Sequence, residues 1–388
     1  MGRDVNIVGN EKVAFVTESP SVWGAETSLL ALLDGERNTF IVADNESPLH
    51  AVAFERGIDT VGHAFALNNT LTLSGGSEGS TFKTALVLVA SRLPKFILSV
   101  ARLVQILDTR QIVVAFSLWQ ALEVLVAAKI RRCRLVVDLH ETIGGRLGRM
   151  VARRVCHSAD LVIAPSQSII DRFGIEHERT IVVPRPLEDI VVPSDSTRPD
   201  QDFSSSIVTA IIGQVVSHKR VDFLVDLFTD LKLVRTSLIV VGGEPDEKAR
   251  SDFERYVRER ADNSDRVQII DRTDKVMELL SDIDVLFNIS EHEAFGRTVA
   301  EAIACGTLPV CLAGDGPSEI VLRCGEGVIL QDISFLKSFL LELDNGVYND
   351  QLKPESREVR SYKAEVFAPS RIRRQYLDAV RGRVECGE

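Results

Sequence analysis

Short apolar segments typical of buried strands alternate with helical patterns along almost the whole chain, and the alternation forms two series. The first series opens with a strand at Lys12–Thr17, a turn-prone loop at Ser19–Gly24 and a helix at Glu26–Leu33. The second opens with a strand at Ile207–Ile212 and a helix at Val221–Lys232. A repeated strand, loop and helix is the unit of a parallel sheet with helices on both faces. The sequence therefore predicts an α/β protein with two Rossmann-like, doubly wound sheets.

A polar stretch rich in proline, serine and aspartate, 187–206, separates the two series. A chain of 388 residues is longer than one ordinary core requires, so two domains are expected. We predict an N-terminal domain at 1–186, a linker at 187–206 and a C-terminal domain at 207–368. The final segment, 369–388, has a basic helical pattern and is expected to pack back toward the N-terminal domain.

Composition excludes several classes of protein. The chain is 45% hydrophobic and 26% charged, as is usual for soluble globular proteins. The net charge of −11 lies mostly after residue 190, which argues against nucleic acid as the main partner. The six cysteines form no CxxC pair, so we expect reduced thiols and no metal site. The first residues contain no apolar run typical of a secretory signal, so a cytoplasmic location is predicted.

The segment Ser290–Cys311 is the most informative part of the sequence for function. In parallel sheets ligands bind at the carboxyl ends of the strands, and here a strand is followed by a loop and a helix that begins near Arg297. The free N–H groups at a helix start suit a diphosphate. Glu293 and Glu301 flank this start, so one carboxylate can hold sugar hydroxyls and the other ribose hydroxyls. Taken alone, both also fit ordinary acids favoured by the helix dipole.

The same segment resembles the donor-binding signature of the retaining family-4 glycosyltransferases of GT-B fold, E-x-F-G-x-x-x-x-E-A-x-A-x-G-x-P. The matching residues are Glu293, Phe295, Gly296, Glu301, Ala302, Ala304, Gly306 and Pro309. The resemblance implies that Glu293 contacts the donor sugar, together with backbone N–H groups at Ala294, Phe295 and Gly296. It also implies that Glu301 binds the ribose, and that Arg297 and Thr298 open a helix facing the diphosphate.

A second family element, G-R-L-x-x-x-K, is similar to Gly213–Lys219 after the first strand of the C-terminal domain. Lys219 stands at the diphosphate-binding lysine and supplies a cation without a metal. Gln214 replaces the family's arginine. A charge-assisted hydrogen bond is worth roughly 1.5–3 kcal/mol, so this replacement puts catalytic competence in question.

Weaker similarities involve four further residues. Gly24 lies in Trp23–Glu26, which resembles a G-G-A-E loop near the phosphates and acceptor, although a plain strand-to-helix turn fits too. His140 resembles the family's strand-end histidine facing the acceptor, and a structural histidine is the alternative. Asp271 and Arg272 fall where the family holds the nucleotide base. Gly242 and Gly243 indicate a close backbone approach but lack the GxGxxG of dinucleotide dehydrogenases.

These resemblances imply a retaining, metal-independent glycosyltransferase that needs no cofactor beyond its nucleotide-sugar donor. Its acceptor is expected to be a glycan, a glycolipid or another hydroxyl compound, as in polysaccharide assembly. The alternatives are a non-catalytic GT-B subunit that binds a sugar or a partner, and a nucleotide-sugar isomerase. The helices of 84–107 and the arginines at 146, 149, 153 and 154 suggest peripheral contact with the inner face of a membrane, although ordinary domain helices fit as well.

Overall fold

The chain divides into two compact units, each built on its own parallel sheet. Unit 1 comprises residues 1–186 and 369–388, and unit 2 comprises residues 187–368. The computed structural model describes residues 12–18, 22, 24–66, 82–118, 120–140, 146–175, 179–187, 206–248, 250–273, 275–353 and 357–383. Except for its two end residues, the predicted linker lies outside these ranges.

Unit 1 contains a sheet of seven parallel strands in the order β3-β2-β1-β4-β5-β6-β7. Its elements are β1 (Val13–Val16), α1 (Gly24–Leu33), β2 (Thr39–Asp44), α2 (Leu49–Glu55), β3 (Asp59–His63), α3 (Phe82–Ile106), β4 (Ile112–Ala115), α4 (Ala121–Arg131), β5 (Arg134–Asp138), α5 (Arg146–Ser158), β6 (Leu161–Ala164), α6 (Gln167–Phe173) and β7 (Thr180–Val182). The strand order reverses between β1 and β4, as expected for a doubly wound sheet.

Unit 2 contains a sheet of six parallel strands in the order β10-β9-β8-β11-β12-β13. Its elements are β8 (Ile207–Ile212), α7 (Val221–Asp230), β9 (Thr236–Gly243), α8 (Asp252–Ala261), β10 (Val267–Asp271), α9 (Val276–Leu280), β11 (Val285–Asn288), α10 (Arg297–Cys305), β12 (Leu308–Leu312), α11 (Gly316–Cys324), β13 (Val328–Leu330), α12 (Leu336–Asp344) and α13 (Arg357–Glu365). Here the order reverses between β8 and β11.

The core of unit 2 has two apolar layers because successive strand residues point to opposite faces of the sheet. Phe287 of β11 joins the layer that contains Phe228 and Phe339. Its neighbour Leu286 joins the other layer, which contains Val299 of α10 and Phe367. The helix that carries the predicted donor signature is therefore fixed to the sheet by its own buried face.

The last helix, α14 (Pro369–Val380), belongs to unit 1 and packs on α1. Ile372, Tyr376 and Leu377 are buried in the same cluster as Phe15 of β1. Arg373 donates to the Ala31 carbonyl at 2.8 Å, which fastens the exposed edge of the helix. Residues from the end of the chain thus complete the core that the first strands begin.

Several elements differ from the sequence expectations. The edge strand β3 was not predicted, because its sequence lacks the apolar alternation that marks a half-buried strand. The sequence pattern predicts a helix from Glu247 to Ala261, but helix α8 begins at Asp252. Ser251 caps it there by accepting a hydrogen bond from Glu254 N at 3.1 Å. The segment predicted to be helical at 84–107 belongs to one helix, α3, which ends at Ile106 and has Pro94 inside it.

Candidate functional site

The point where the strand order reverses in unit 2 lies between β8 and β11, which are hydrogen-bonded neighbours. The loops that leave their carboxyl ends start at Gly213 and Ile289. Ligands of doubly wound sheets bind at such a reversal. These two loops carry the Gly213–Lys219 element and the Glu293 signature, so the fold brings both sequence predictions to one place.

Lys219 and Glu293 form an ion pair through Nζ and Oε2. Both side chains are largely buried, with exposed fractions of 24% and 21%. Lys219 ends a short 3₁₀ turn, Ser217–Lys219, and Gln214 lies half-buried earlier in the same loop. A cation and a carboxylate, 74 residues apart in sequence, therefore meet at the strand reversal.

Backbone contacts hold the Glu293 loop on both sides. Glu291 N donates to the His218 carbonyl at 2.7 Å, which joins the loop to the turn that carries Lys219. His292 N donates to Asp315 Oδ2 at 3.1 Å, and Gly316 N donates to the Glu293 carbonyl at 3.1 Å. The loop is thus positioned by the segments that precede α7 and α11.

Helix α10 begins directly after Gly296, which has a φ of +87°. Most side-chain-bearing residues avoid this left-handed conformation, so the glycine of the signature has a backbone role. A Cβ on Gly296 would also lie 2.7 Å from Pro317 Cγ. The sharp turn at Gly296 aims the start of α10 at the same edge of the sheet as Lys219.

A second ion pair lies on the first turns of α10. Arg297 Nε donates to Glu301 Oε1 at 2.7 Å, and the exposed fraction of the Glu301 side chain is 11%. Burial raises the pKa of Glu301, and the charge of Arg297 opposes this rise. Arg297 Nη1 is buried and has no hydrogen-bond partner among the described residues. Arg297 therefore retains a donor for a further acceptor.

Asn288, the last residue of β11, lines a small pocket with Gly213, Gln214, Lys219 and Ser290. Its exposed fraction is 8%, and its Oδ1 atom has no hydrogen-bond partner among the described residues. A buried polar atom without a partner is costly, so such an atom in a pocket is suited to a ligand donor. Sequence reasoning missed Asn288, because an asparagine inside an apolar strand was read only as part of the strand.

Asp271 is the last residue of β10 and Arg272 follows it, two strands away from β8 in the sheet. The Asp271 carboxylate pairs with Arg258, which also donates to Glu254 Oε1 at 3.0 Å. Arg272 is exposed, and its backbone N–H donates to the Gly243 carbonyl at 2.9 Å. These two residues therefore lie at the same sheet edge as Lys219 but apart from its ion pair.

In unit 1, His140 follows the carboxyl end of β5. Its Nδ1 lies 2.9 Å from Asp138 Oδ1, and its ring lies 4.6 Å from the Phe116 ring. Asp138 is fully buried and also binds Arg185 and the hydroxyl of Tyr376. Although burial opposes ionisation, Arg185 and the hydrogen-bond donors hold the pKa of Asp138 at about 2.

Gly24, the other site residue predicted in unit 1, is exposed and is the first residue of α1. Its neighbour Trp23 lies outside the described residues. The sequence did not single out Asp138, Arg185 or Tyr376. The first two residues are separated by 47 positions and the tyrosine is a further 191 positions along the chain, so no local spacing links them.

Comparison with known proteins agrees with these two sheets and their loops. Residues 195–334 match the family model of glycosyl transferases group 1. The matched range includes the Lys219 turn, the Glu293 loop and α10. Comparison of the sequence with curated proteins finds no significant match.

Solved structures share the fold over 96–97% of the chain. HepE from Anabaena, in complex with UDP and glucose, superimposes with a TM-score of 0.74 at 18% identity, over 96% of this chain and 100% of that chain. A glycosyltransferase from Rickettsia africae has a TM-score of 0.70 at 14% identity, over 97% and 99%. Sucrose-phosphate synthase from Thermosynechococcus elongatus has a TM-score of 0.67 at 16% identity, over 96% and 98%. The chain thus has the two parallel-sheet domains of the GT-B fold.

Three further structural findings bear on the sequence expectations. The described cysteines, at positions 133, 156, 305, 311 and 324, are free thiols. Across the described ranges, no three His, Cys, Asp or Glu side chains cluster as a metal site would require. Within the same ranges, no helix combines the length and apolar character that a bilayer span needs.

Proposed function

We propose that this protein is a retaining, metal-independent glycosyltransferase that moves a sugar from a nucleotide-sugar donor to a hydroxyl of a glycan, glycolipid or similar acceptor. The observation that carries the proposal is the ion pair of Lys219 and Glu293 at the strand reversal of a glycosyl transferases group 1 domain. Several solved structures of the same fold contain UDP or UDP-glucose, which supports a nucleotide-sugar donor.

The donor diphosphate is assigned to the region between Lys219 and the start of α10. Lys219 supplies one positive charge, and the helix start adds N–H groups with a partial positive charge. Arg297 adds the Nη1 donor that has no partner among the described residues. This cationic set would also offset the replacement of the family's arginine by Gln214.

The sugar and the ribose are assigned to the two glutamates. Glu293 would accept hydrogen bonds from sugar hydroxyls when a diphosphate takes its place beside Lys219. Glu301 would accept from ribose hydroxyls, and its pairing with Arg297 keeps its carboxylate oriented. The unpaired Oδ1 of Asn288 offers a further hydrogen-bond acceptor in the small pocket that Lys219 also lines.

In the proposed transfer, the bond between the sugar C1 and the phosphate oxygen breaks and its electrons stay on the nucleoside diphosphate. The acceptor oxygen forms the new bond to C1 from the same face. The proton of the acceptor hydroxyl passes to the departing phosphate oxygen. Lys219 stabilises the charge that develops on this phosphate, and such electrostatic stabilisation commonly contributes more to catalysis than any other single effect.

Substitution of the paired residues tests the proposal. Purified wild-type protein is screened for transfer and hydrolysis with a panel of UDP-, GDP-, ADP- and dTDP-sugars. In Lys219→Ala, loss of a cation that acts mainly on the transition state should lower kcat by about 10²–10³-fold. Glu293→Ala is expected to raise the donor KM as well as to lower kcat, because it removes contacts to the sugar itself.

Lys353→Ala is the matched control, since Lys353 forms an exposed ion pair with Asp350 in the same unit. It should retain wild-type kcat and KM. Full transfer activity in Lys219→Ala would contradict the proposal. Binding of a nucleotide sugar without turnover would favour a sugar-binding subunit, and conversion of the donor sugar itself would favour an isomerase.

Metal independence is tested separately with a chelator. If Lys219 and the start of α10 neutralise the negative charge of the diphosphate, EDTA in excess over free Mg²⁺ and Mn²⁺ should leave kcat unchanged. A loss of activity that added Mg²⁺ or Mn²⁺ restores would refute this part of the proposal and leave the donor assignment in place.

We also propose that unit 1 contacts an anionic membrane surface through α3. Leu93, Ile97 and Leu98 are exposed on this helix, and Lys95 is exposed among them. Apolar side chains beside basic ones suit the boundary of an anionic bilayer.

The triple variant with serine at positions 93, 97 and 98 should sediment less with phosphatidylglycerol vesicles than the wild type. Phe54→Ser, at an exposed phenylalanine of α2, is the control. Equal sedimentation of all three proteins would contradict this contact.

A further inference from the structure

The buried carboxylate of Asp138 receives hydrogen bonds from three side chains in unit 1. Arg185 Nη1 donates to Oδ2 at 2.9 Å, and Arg185 Nη2 donates to Oδ1. Tyr376 Oη donates to Oδ2 at 2.6 Å. His140 Nδ1 lies 2.9 Å from Oδ1. Each carboxylate oxygen therefore has two neighbours within hydrogen-bond distance.

This arrangement determines which nitrogen of His140 carries the proton. An ionised carboxylate only accepts hydrogen bonds, and it has about four acceptor positions. Because Asp138 stays ionised, with a pKa of about 2, His140 must be the donor in their contact. Its Nδ1 then carries the hydrogen, and in the neutral ring Nε2 is the acceptor nitrogen.

The carboxylate is itself fixed from two distant parts of the chain. Arg185 follows β7, and its guanidinium carbon lies 5.7 Å from the centre of the Phe116 ring and 6.0 Å from that of Tyr376. Tyr376 projects from α14 into the core. Phe116 also packs against the His140 ring at 4.6 Å. The same side chains that hold Asp138 thus restrict the histidine ring.

We infer that Asp138 is a positioning residue, held by Arg185 and Tyr376, that keeps His140 in the Nδ1–H tautomer. The part that this tautomer plays in sugar transfer rests on the proposed function, whereas the tautomer itself rests on the side-chain contacts alone.

The tautomer is measured directly in the full-length protein labelled with ¹⁵N-histidine. Long-range ¹H–¹⁵N correlation spectra near pH 8, where ordinary histidines are neutral, distinguish the two tautomers. The chain has seven histidines, and His140→Gln identifies the signal of interest by its disappearance. The wild type should show Nδ1 protonated. An Nε2-protonated signal would overturn the inference, and this result requires no variant at the buried carboxylate.

Asp138→Asn tests the positioning role. The asparagine side chain has one oxygen and one NH₂ group. We expect the oxygen to accept from Arg185 and the NH₂ group to face His140, where it acts as a donor. The His140 signal should then change to the Nε2–H tautomer. Arg373→Ala, which removes hydrogen bonds between α14 and the Ala31 carbonyl, is the control for loosening of the same helix and should leave the tautomer unchanged.

Kinetics connect the tautomer to transfer. Calorimetry first identifies which nucleoside diphosphate, out of UDP, GDP, ADP and dTDP, the wild type binds. Asp138→Asn should bind it with an unchanged Kd, because the donor residues lie in unit 2, while kcat falls about tenfold through the lost hydrogen bond. An altered tautomer with unchanged kcat would overturn the positioning role. If the wild type binds none of the four compounds, the proposed function fails, and the tautomer measurement still decides the structural claim.

Discussion

Gly242 leaves no room for a side chain beside the backbone of Gly213, and replacing it should damage unit 2 in a measurable way. Its φ is +121°, and a Cβ built there would lie 2.2 Å from the carbonyl oxygen of Gly213. Gly213 begins the loop that leads to Lys219. Gly242→Ala therefore forces either β9 or this loop to move.

Two costs add up in Gly242→Ala. A side-chain-bearing residue in a sparsely populated backbone region costs about 1–3 kcal/mol. An ordinary Cβ contact is at least 3.4 Å long, so the backbone must also shift by about 1 Å, and overpacking of this kind costs roughly 1–3 kcal/mol more. Gly325→Ala is the matched control, because its φ is +67° and nothing lies within 4 Å of the added Cβ. This control should cost only about 1–2 kcal/mol.

Thermal unfolding followed by far-UV circular dichroism measures the difference. A loss of 1 kcal/mol lowers Tm by roughly 2–4 °C in a domain of this size, so Gly242→Ala should melt several degrees below Gly325→Ala. Gly242→Ala should also lose affinity for the bound nucleotide. Equal melting temperatures for the two variants would refute the close-approach argument.

Two further predictions concern unit 2. Gly316→Ala would place a Cβ 2.4 Å from the Ala294 carbonyl oxygen, so it should displace the Glu293 loop and weaken nucleotide binding at least tenfold, as measured by calorimetry; unchanged affinity would contradict this. Burial opposes the ionisation of Asp344, but hydrogen bonds from the backbone of Val234, Arg235 and Thr236 outweigh it and lower the pKa of this carboxyl below its ordinary value of 3.8. Because the folded-state pKa is the lower one, this stabilisation is present above about pH 4 and is lost as the pH falls below it. Asp344→Asn should therefore lower Tm at pH 7 and show a smaller further loss between about pH 4 and pH 3 than the wild type; parallel pH profiles would exclude the assigned cause.

Local sequence patterns were sufficient to predict the elements closest to the donor signature. Glu293, Phe295, Gly296 and Glu301 lie within one loop and the first turns of one helix, and their spacing is a property of that helix start. The doubly wound sheets followed from alternating apolar strands and amphipathic helices. The edge strand β3 was missed because Asp59–His63 lacks the apolar pattern on which such a prediction depends.

The order of the strands, and therefore the side chains that meet, was decided by tertiary structure. The pairing of β8 with β11 brings Lys219 to Glu293 across 74 positions, and α14 brings Tyr376 to Asp138 across 238. No regular spacing in the sequence predicts either contact, because the partners come within hydrogen-bond distance only after the sheets have formed. The sequence by itself determined which residue types open the helix at the candidate site. Only the folded chain placed a lysine against one glutamate and bound a histidine to a buried aspartate, since long-range packing sets those distances.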